Sequence, residues 1–230
     1  MGGMTALALS AVLWDMDGTL IDSEPLWLEA EKRMLNRYGL EMTAETAETL
    51  IGSGLWQAAE HFRALGVPMT ADDIVAEWVV QVAAGMDAGA IEWRPGARET
   101  LESLRLAGIP CALVTMSVRS LADRLRAALP EGTFSAVIAG DEVEHAKPHP
   151  EPYLRGAAAL GVPIEACIAF EDSGTGLRSA HASGAVAIGV TNLVDLSHAP
   201  AHAIRSTLAG MNAESLRADF AELRSLDLRA

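Results

Sequence analysis

The sequence predicts an α/β protein, a parallel sheet covered by helices on both faces and interrupted by an inserted helical subdomain. Three observations carry this expectation. Short, nearly continuous apolar runs alternate with helix-period segments along most of the chain. The stretch from residue 22 to 93 holds helical patterns and no convincing strand. Half of the 230 residues are hydrophobic, ample for a well-buried core.

Five runs read as buried strands: residues 7–14, 110–115, 136–139, 167–170 and 186–190. They lack polar alternation, as strands covered on both faces do. Between the later runs, Ala97, Leu101 and Leu104 form a stripe ending at Gly108. Leu121, Leu125 and Leu129 follow Ser117, a candidate helix cap, and stop at Pro130. Tyr153, Ala157 and Leu160 stop at Gly161.

In the insert, Leu26, Ala30, Met34 and Tyr38 make one helical stripe, which Ser23 can cap and Gly39 can end. Ile74, Trp78, Val82 and Met86 make another, opened by the capping-box pattern Thr70-x-x-Asp73. Trp27, Trp56, Trp78 and Trp93 fall within it or at its end. An insert directly after the first strand is expected to stand over that strand's C-terminal end, where open parallel sheets bind ligands. It would act there as a lid moving about connections near Ile21 and Trp93.

Seventeen basic against thirty-one acidic side chains leave a net charge of −14. So acidic a chain repels nucleic acid and anionic membrane; neither is expected as a partner, and any phosphate must be captured by a few local groups or a metal. The apolar stretch 6–13 has no Lys or Arg before it and is too short to span a bilayer, so a cytoplasmic protein is expected. Cys111 and Cys167 lie in apolar runs and read as buried strand thiols.

The chemistry gathers at strand ends. Asp15 and Asp17 follow the first run and precede a Gly18-Thr19 turn, a spacing that brings both carboxylates to one crevice. Such a pair holds a hard cation or divides into nucleophile and general acid/base, although Asp and Gly are also ordinary turn residues. Glu171-Asp172 close a second strand and precede Ser173-Gly174-Thr175-Gly176, a plausible site for Mg²⁺ with oxygen ligands. A dinucleotide-binding reading of Gly174-x-Gly176 fails, because Ser179 stands where a third glycine belongs. Thr115 ends a strand and Ser117 starts a helix, a combination that can bind an anion or simply cap the helix. Lys147, rigidly placed among prolines in an acidic chain, is a candidate to neutralise a phosphoryl oxygen.

Four segments together, Asp15-Met16-Asp17-Gly18-Thr19-Leu20, Val114-Thr115, Lys147-Pro148-His149-Pro150-Glu151-Pro152-Tyr153 and Glu171-Asp172-Ser173-Gly174-Thr175-Gly176, resemble in order and spacing the haloacid dehalogenase-like hydrolase superfamily. The run from Leu20 to Trp27 is similar to its β-phosphoglucomutase-like and sugar-phosphatase branch. The resemblance spans residues 9 to 195. It implies a Rossmann-like core of residues 1–21 and 94–230 with a helical cap of residues 22–93. It implies that Asp15 attacks phosphorus and becomes an aspartyl-phosphate. Asp17 would protonate the leaving oxygen, then activate water, with its backbone carbonyl on the metal. Thr115 and Lys147 would hold the phosphoryl oxygens, beside Gly18 and Met116. Asp172, helped by Glu171, would complete the Mg²⁺ site with Asp15. Lys147 would also keep Asp15 ionised.

The implied activity is Mg²⁺-dependent hydrolysis of a small phosphorylated metabolite, a sugar phosphate first, by a monomer. A phosphosugar mutase and a non-catalytic binding protein of the same fold are the alternatives. Two positions depart from the pattern. Met116 stands where relatives often carry a small residue or Asn. Gly52-Ser53-Gly54 replaces a phosphate-holding cation of the mutases, and Arg37 and Arg63 are not clearly placed to substitute. Asp17 argues against a dehalogenase, and Lys32, the one lysine of the insert, does not suit a phosphonatase. Glu24, Trp27, Ser53 and Trp56 are candidates for substrate contact. His145, His149, His181, His198 and His202 are expected as surface or loop residues rather than zinc ligands. The segment after Asp195, with Leu208, Met211 and Leu216, is expected to pack peripherally and to carry no chemistry.

Overall fold

The computed structural model describes residues 7–43, 46–47, 50 and 54–227. The chain divides into two compact units, one holding the residues up to Ile21 and from Trp93 onward, the other Asp22–Glu92.

The first unit is an α/β layer structure. Among the described residues its sheet has six strands: β1 (Ala11–Trp14), β4 (Cys111–Val114), β5 (Ala136–Ile138), β6 (Cys167–Glu171), β7 (Val186–Val190) and β8 (Ala203–Arg205). They lie in the order β5-β4-β1-β6-β7-β8, all parallel. The two short strands β2 (Ile21–Asp22) and β3 (Glu92–Trp93) mark the two crossings between the units. The sequence runs place five of the six sheet strands; residues 7–10 lie outside β1. The missed strand is β8, a half-exposed edge strand whose three residues make no apolar run.

β1 is central, with β4 on one side and β6 on the other: Trp14 is level with Leu113 and with Phe170, on whose ring it stacks at 4.4 Å. Chain order reverses beside β1, and such a switch point leaves a crevice at the strands' C-terminal ends. Helices α4 (Ala97–Leu106), α5 (Arg119–Ala127), α6 (Glu151–Leu160), α7 (Gly174–Ser183) and α8 (Ala213–Asp227) surround the sheet. Their expected stripes face inward: Leu101, Leu104, Leu121, Leu125, Tyr153 and Ala157 are buried. Cys111 and Cys167 are buried and unbridged, and burial pushes both thiols up to about 12. The segment after Asp195 is more than peripheral: it supplies β8, and Leu208, Leu216 and Phe220 are fully buried.

The second unit contains α1 (Glu24–Arg37), α2 (Leu55–Leu65) and α3 (Ala71–Asp87). Ile74, Trp78, Val82 and Met86 are buried, with Phe62 edge-on to Trp78 at 4.7 Å. Thr70 caps α3 by accepting from the Asp73 N–H. In α1, Ala30, Met34 and Leu35 are buried, while Tyr38, which follows the last residue of the helix, is exposed. Among the described residues no helix is long and apolar enough to cross a membrane.

Candidate active site

Parallel register brings the polar residues that end β1, β4 and β6 to one crevice of the first unit. Asp15, next after β1, is 7% exposed. Its Oδ1 accepts from Lys147 Nζ at 2.8 Å, and its Oδ2 accepts from the Thr19 hydroxyl at 3.0 Å. Lys147 also donates to Glu171 Oε1 at 2.6 Å and to the Val114 carbonyl at 2.9 Å. All three donor positions of the ammonium are thus used, and the lysine is locked.

Glu171 is fully buried. It accepts from Tyr153 Oη at 2.7 Å on Oε1 and from Ser173 Oγ at 3.2 Å on Oε2. Its carboxylate lies against Gly176, where any Cβ would overlap it. Ser173 in turn caps α7 by accepting from the Gly176 N–H.

The carboxylate of Asp17 is held apart from this cluster, with Oδ2 accepting from Ser117 Oγ at 2.7 Å and from Thr115 Oγ1 at 3.3 Å. The Thr115 hydroxyl also accepts the Ser117 N–H. Ser117 is therefore not the cap of α5, a position that Val118 fills; its hydroxyl belongs to the site. Thr115 likewise directs its hydroxyl to Asp17. Gly18, expected to bind phosphate, gives its N–H to the Ile21 carbonyl; its φ of +81° and bare Cα let Asp172 Oδ2 pack against it. The Met116 thioether accepts the backbone N–H of Lys147 at 3.4 Å, bracing the segment that carries the lysine.

One ligand oxygen from each of Asp15, Glu171 and Asp172 lies within 4.8 Å of the others. Three carboxylates gather round one buried ammonium that bonds two of them, and the surplus negative charge raises the carboxyls. Burial, then Glu171, pushes Asp15 well above the usual carboxylate range, and Lys147 only partly opposes them. Lys147 thus favours the ionised form of Asp15 as expected, but burial and Glu171 outweigh it. Burial and Glu171 raise Asp172 to about 7. Burial pulls Lys147 down, but Asp15 and Glu171 outweigh it and hold the ammonium above its ordinary value. A hard-oxygen donor set with excess negative charge fits a divalent cation such as Mg²⁺, with Asp15 and Asp172 as ligands.

Sequence reasoning did not find Thr19, Tyr153, Asn192 or Arg94 as members of this network. Asn192 follows β7 and donates to Asp172 Oδ2 at 3.2 Å. The rule that singled out Asp15 and Thr115, a polar residue just beyond an apolar strand, would have found it. Arg94 offers no such signal. The remaining candidates lie in the helical unit: Glu24 opens α1, Trp27 is half-buried on α1, and Trp56 on α2 donates its indole N–H to Asp72. Ser53 lies outside the described residues. His145 and His149 are less scattered than expected, their rings 4.5 Å apart beside Glu151. That cluster is braced internally. Glu151 accepts from the backbone N–H groups of Glu144 and His145 and bonds the His145 ring, while His149 Nδ1 accepts the Glu151 N–H.

The chain matches the family model described as haloacid dehalogenase-like hydrolase over residues 9–184. It is 33% identical over 192 residues to the protein CbbY of Rhodobacter capsulatus, covering 77% of this chain and 83% of that protein. It is 31% identical over 182 residues to the fructose-1-phosphate phosphatase YqaB of Escherichia coli, covering 79% and 96%. Among solved structures, CbbY from Rhodobacter sphaeroides in complex with phosphate superposes with a TM-score of 0.78 at 27% identity, covering 88% of this chain and 96% of that one.

Proposed function

We propose that this chain, which belongs to the haloacid dehalogenase-like hydrolase family, is a phosphoric monoester hydrolase acting through a covalent phosphoaspartate on Asp15. Its substrate is a small phosphorylated metabolite, with sugar phosphates the first class to test, as the relative named for fructose 1-phosphate suggests. The observation that carries the reading is the division of labour between two carboxylates. Asp15 ends the central strand and is gripped by Lys147 and Thr19; Asp17, two residues on, is held separately by Ser117 and Thr115.

Phosphoryl transfer needs in-line positioning and charge neutralisation more than elaborate covalent chemistry. The Lys147 and Thr19 contacts leave Asp15 little rotational freedom, so its carboxylate meets phosphorus in one orientation. Asp17 gives its proton to the leaving oxygen, then takes one from the water that hydrolyses the acyl phosphate. Lys147 bears positive charge beside the transferring group. Asp15, Asp172 and the backbone carbonyl of Asp17 would hold Mg²⁺, with Glu171 adding negative charge. When bound, that ion neutralises phosphoryl oxygens that Lys147 alone cannot balance. Met116 is kept as a backbone phosphate contact to test, whereas the Thr115 N–H is already given to the Ile138 carbonyl; Glu24, Trp27, Ser53 and Trp56 are the substrate contacts to test. A cytoplasmic monomer is part of the same proposal.

The test is phosphate release from a panel of sugar phosphates with Mg²⁺ and with EDTA, for the natural chain and for Asp15→Asn. Mg²⁺-dependent release that disappears in Asp15→Asn while the fold persists is the expected result. Release that persists in Asp15→Asn would refute the nucleophile. Conversion to an isomeric phosphate without free phosphate would favour a mutase.

A further inference from the structure

We propose that Arg94 and Asn192 are positioning residues for the metal site, acting together to aim the carboxylate of Asp172. This rests on the Mg²⁺ reading above.

The contacts form a chain. Asn192 Nδ2 donates to Asp172 Oδ2 at 3.2 Å, and Asn192 Oδ1 accepts from Arg94 Nη1 at 2.9 Å. The second arm of the guanidinium, Nη2, donates to the Thr191 carbonyl at 2.9 Å, so Arg94 grips the Thr191–Asn192 pair as a fork. Both ends of the grip are anchored. The Arg94 N–H donates to the Leu20 carbonyl at 2.9 Å, and the Thr191 N–H donates to the Arg205 carbonyl on β8 at 2.9 Å.

The chemical logic lies in the asymmetry of the partners. A guanidinium has donors only, so it accepts one orientation of the Asn192 amide, with Oδ1 toward Arg94. The amide's NH₂ must then face Asp172. Without Arg94 the amide can rotate and turn its oxygen to the carboxylate, which repels it. A bare Gly18 Cα closes the other side: a Cβ there would overlap both Asp172 Oδ2 and Asn192 Nδ2. Asp172 is thus held between Gly18 and an amide whose direction is set from behind. Groups that orient a metal-binding side chain in this way commonly tune metal affinity.

Mg²⁺ binding is measured by calorimetry without substrate on the natural chain, Arg94→Gln, Arg94→Lys, Asn192→Ala and the Arg94→Gln/Asn192→Ala double variant. Metal-free melting and the Mg²⁺ dependence of kcat/KM are recorded beside it. Mg²⁺ affinity should fall roughly tenfold in Arg94→Gln and in Asn192→Ala. It should fall less in Arg94→Lys, which keeps the charge but not the fork, and no further in the double variant than in Asn192→Ala alone. Raising Mg²⁺ should restore most of the lost kcat/KM. Affinity within about twofold of the natural chain in Asn192→Ala, or additive losses in the double variant, would overturn the proposal. Asn192→Ala leaves the Arg94 grip on Thr191 intact, so it decides the matter if Arg94→Gln fails to fold. A natural chain that shows no Mg²⁺ binding overturns the metal reading itself, whereas a natural chain that binds with variants that bind equally overturns only the positioning role.

Discussion

The Lys147 ammonium lies 2.8 Å from Asp15 Oδ1, across 132 residues of sequence, with both side chains almost wholly removed from solvent. Removing one member of such a pair leaves an uncompensated buried charge. Lys147→Met should therefore destabilise the chain by about 3–5 kcal/mol and abolish turnover, since Asp15 and Glu171 would lose their shared counter-charge. Thermal unfolding with phosphate release checks this. A variant that melts like the natural chain and still hydrolyses substrate would contradict the pairing.

The crowded carboxylates set a pH dependence whose sign follows from the direction of the shift. Asp172 is raised from 3.8 to about 7, and Asp15 is raised as well. A raised folded-state value means the protonated carboxyl favours folding. Its contribution is complete below about pH 4 and is lost as pH rises through about 7. In EDTA, melting temperature should fall between about pH 4 and 7, and Mg²⁺ should flatten the decline by binding the ionised form. Asp172→Asn, which has no proton to lose, should show a shallower slope in EDTA. An equal slope would exclude Asp172 as its source.

Gly18→Ala tests the close packing at the first turn. The new methyl would overlap Asp172 Oδ2, and the φ of +81° is strained for any side chain. Mg²⁺ affinity should drop at least tenfold, and stability should fall by about 1–3 kcal/mol. Calorimetric Mg²⁺ titration and chemical denaturation measure the two losses, and normal Mg²⁺ binding would refute the packing account.

Ser117→Ala removes the nearer of two hydroxyl donors to Asp17, at 2.7 Å, and leaves Thr115 at 3.3 Å. The proton-transferring carboxylate loses its orientation while the fold keeps its core. The expected result is a kcat lowered roughly tenfold, equivalent to about 1.4 kcal/mol and near the value of a hydrogen bond to a charged group. An unchanged kcat would remove Ser117 from the site.

Much of this architecture was legible locally. Uninterrupted apolar runs can be satisfied only by strands covered on both faces, and Leu13, Ala112 and Ala169 are indeed fully buried on adjacent strands. Asp15, Thr115 and Glu171 stood out because each ends such a run. The strand β8 escaped because an edge strand needs no apolar signature, and Ser117 stays open between anion site and helix cap in the sequence because a hydroxyl before a helix suits either role.

The sequence by itself determined the alternation of elements, the inward stripes and the set of polar residues at strand ends, because these follow from chain periodicity and from the intolerance of a buried strand for charge. Only the tertiary structure decided how those residues divide. Strand order and register set which carboxylate meets Lys147, which turns to Ser117, and which is reached by Asn192 with Arg94 behind it. Those pairings join residues roughly twenty to more than one hundred positions apart. Local composition carries no record of such distances, and the energetics that raise Asp15 and Asp172 arise only once the chain has brought three carboxylates to one ammonium.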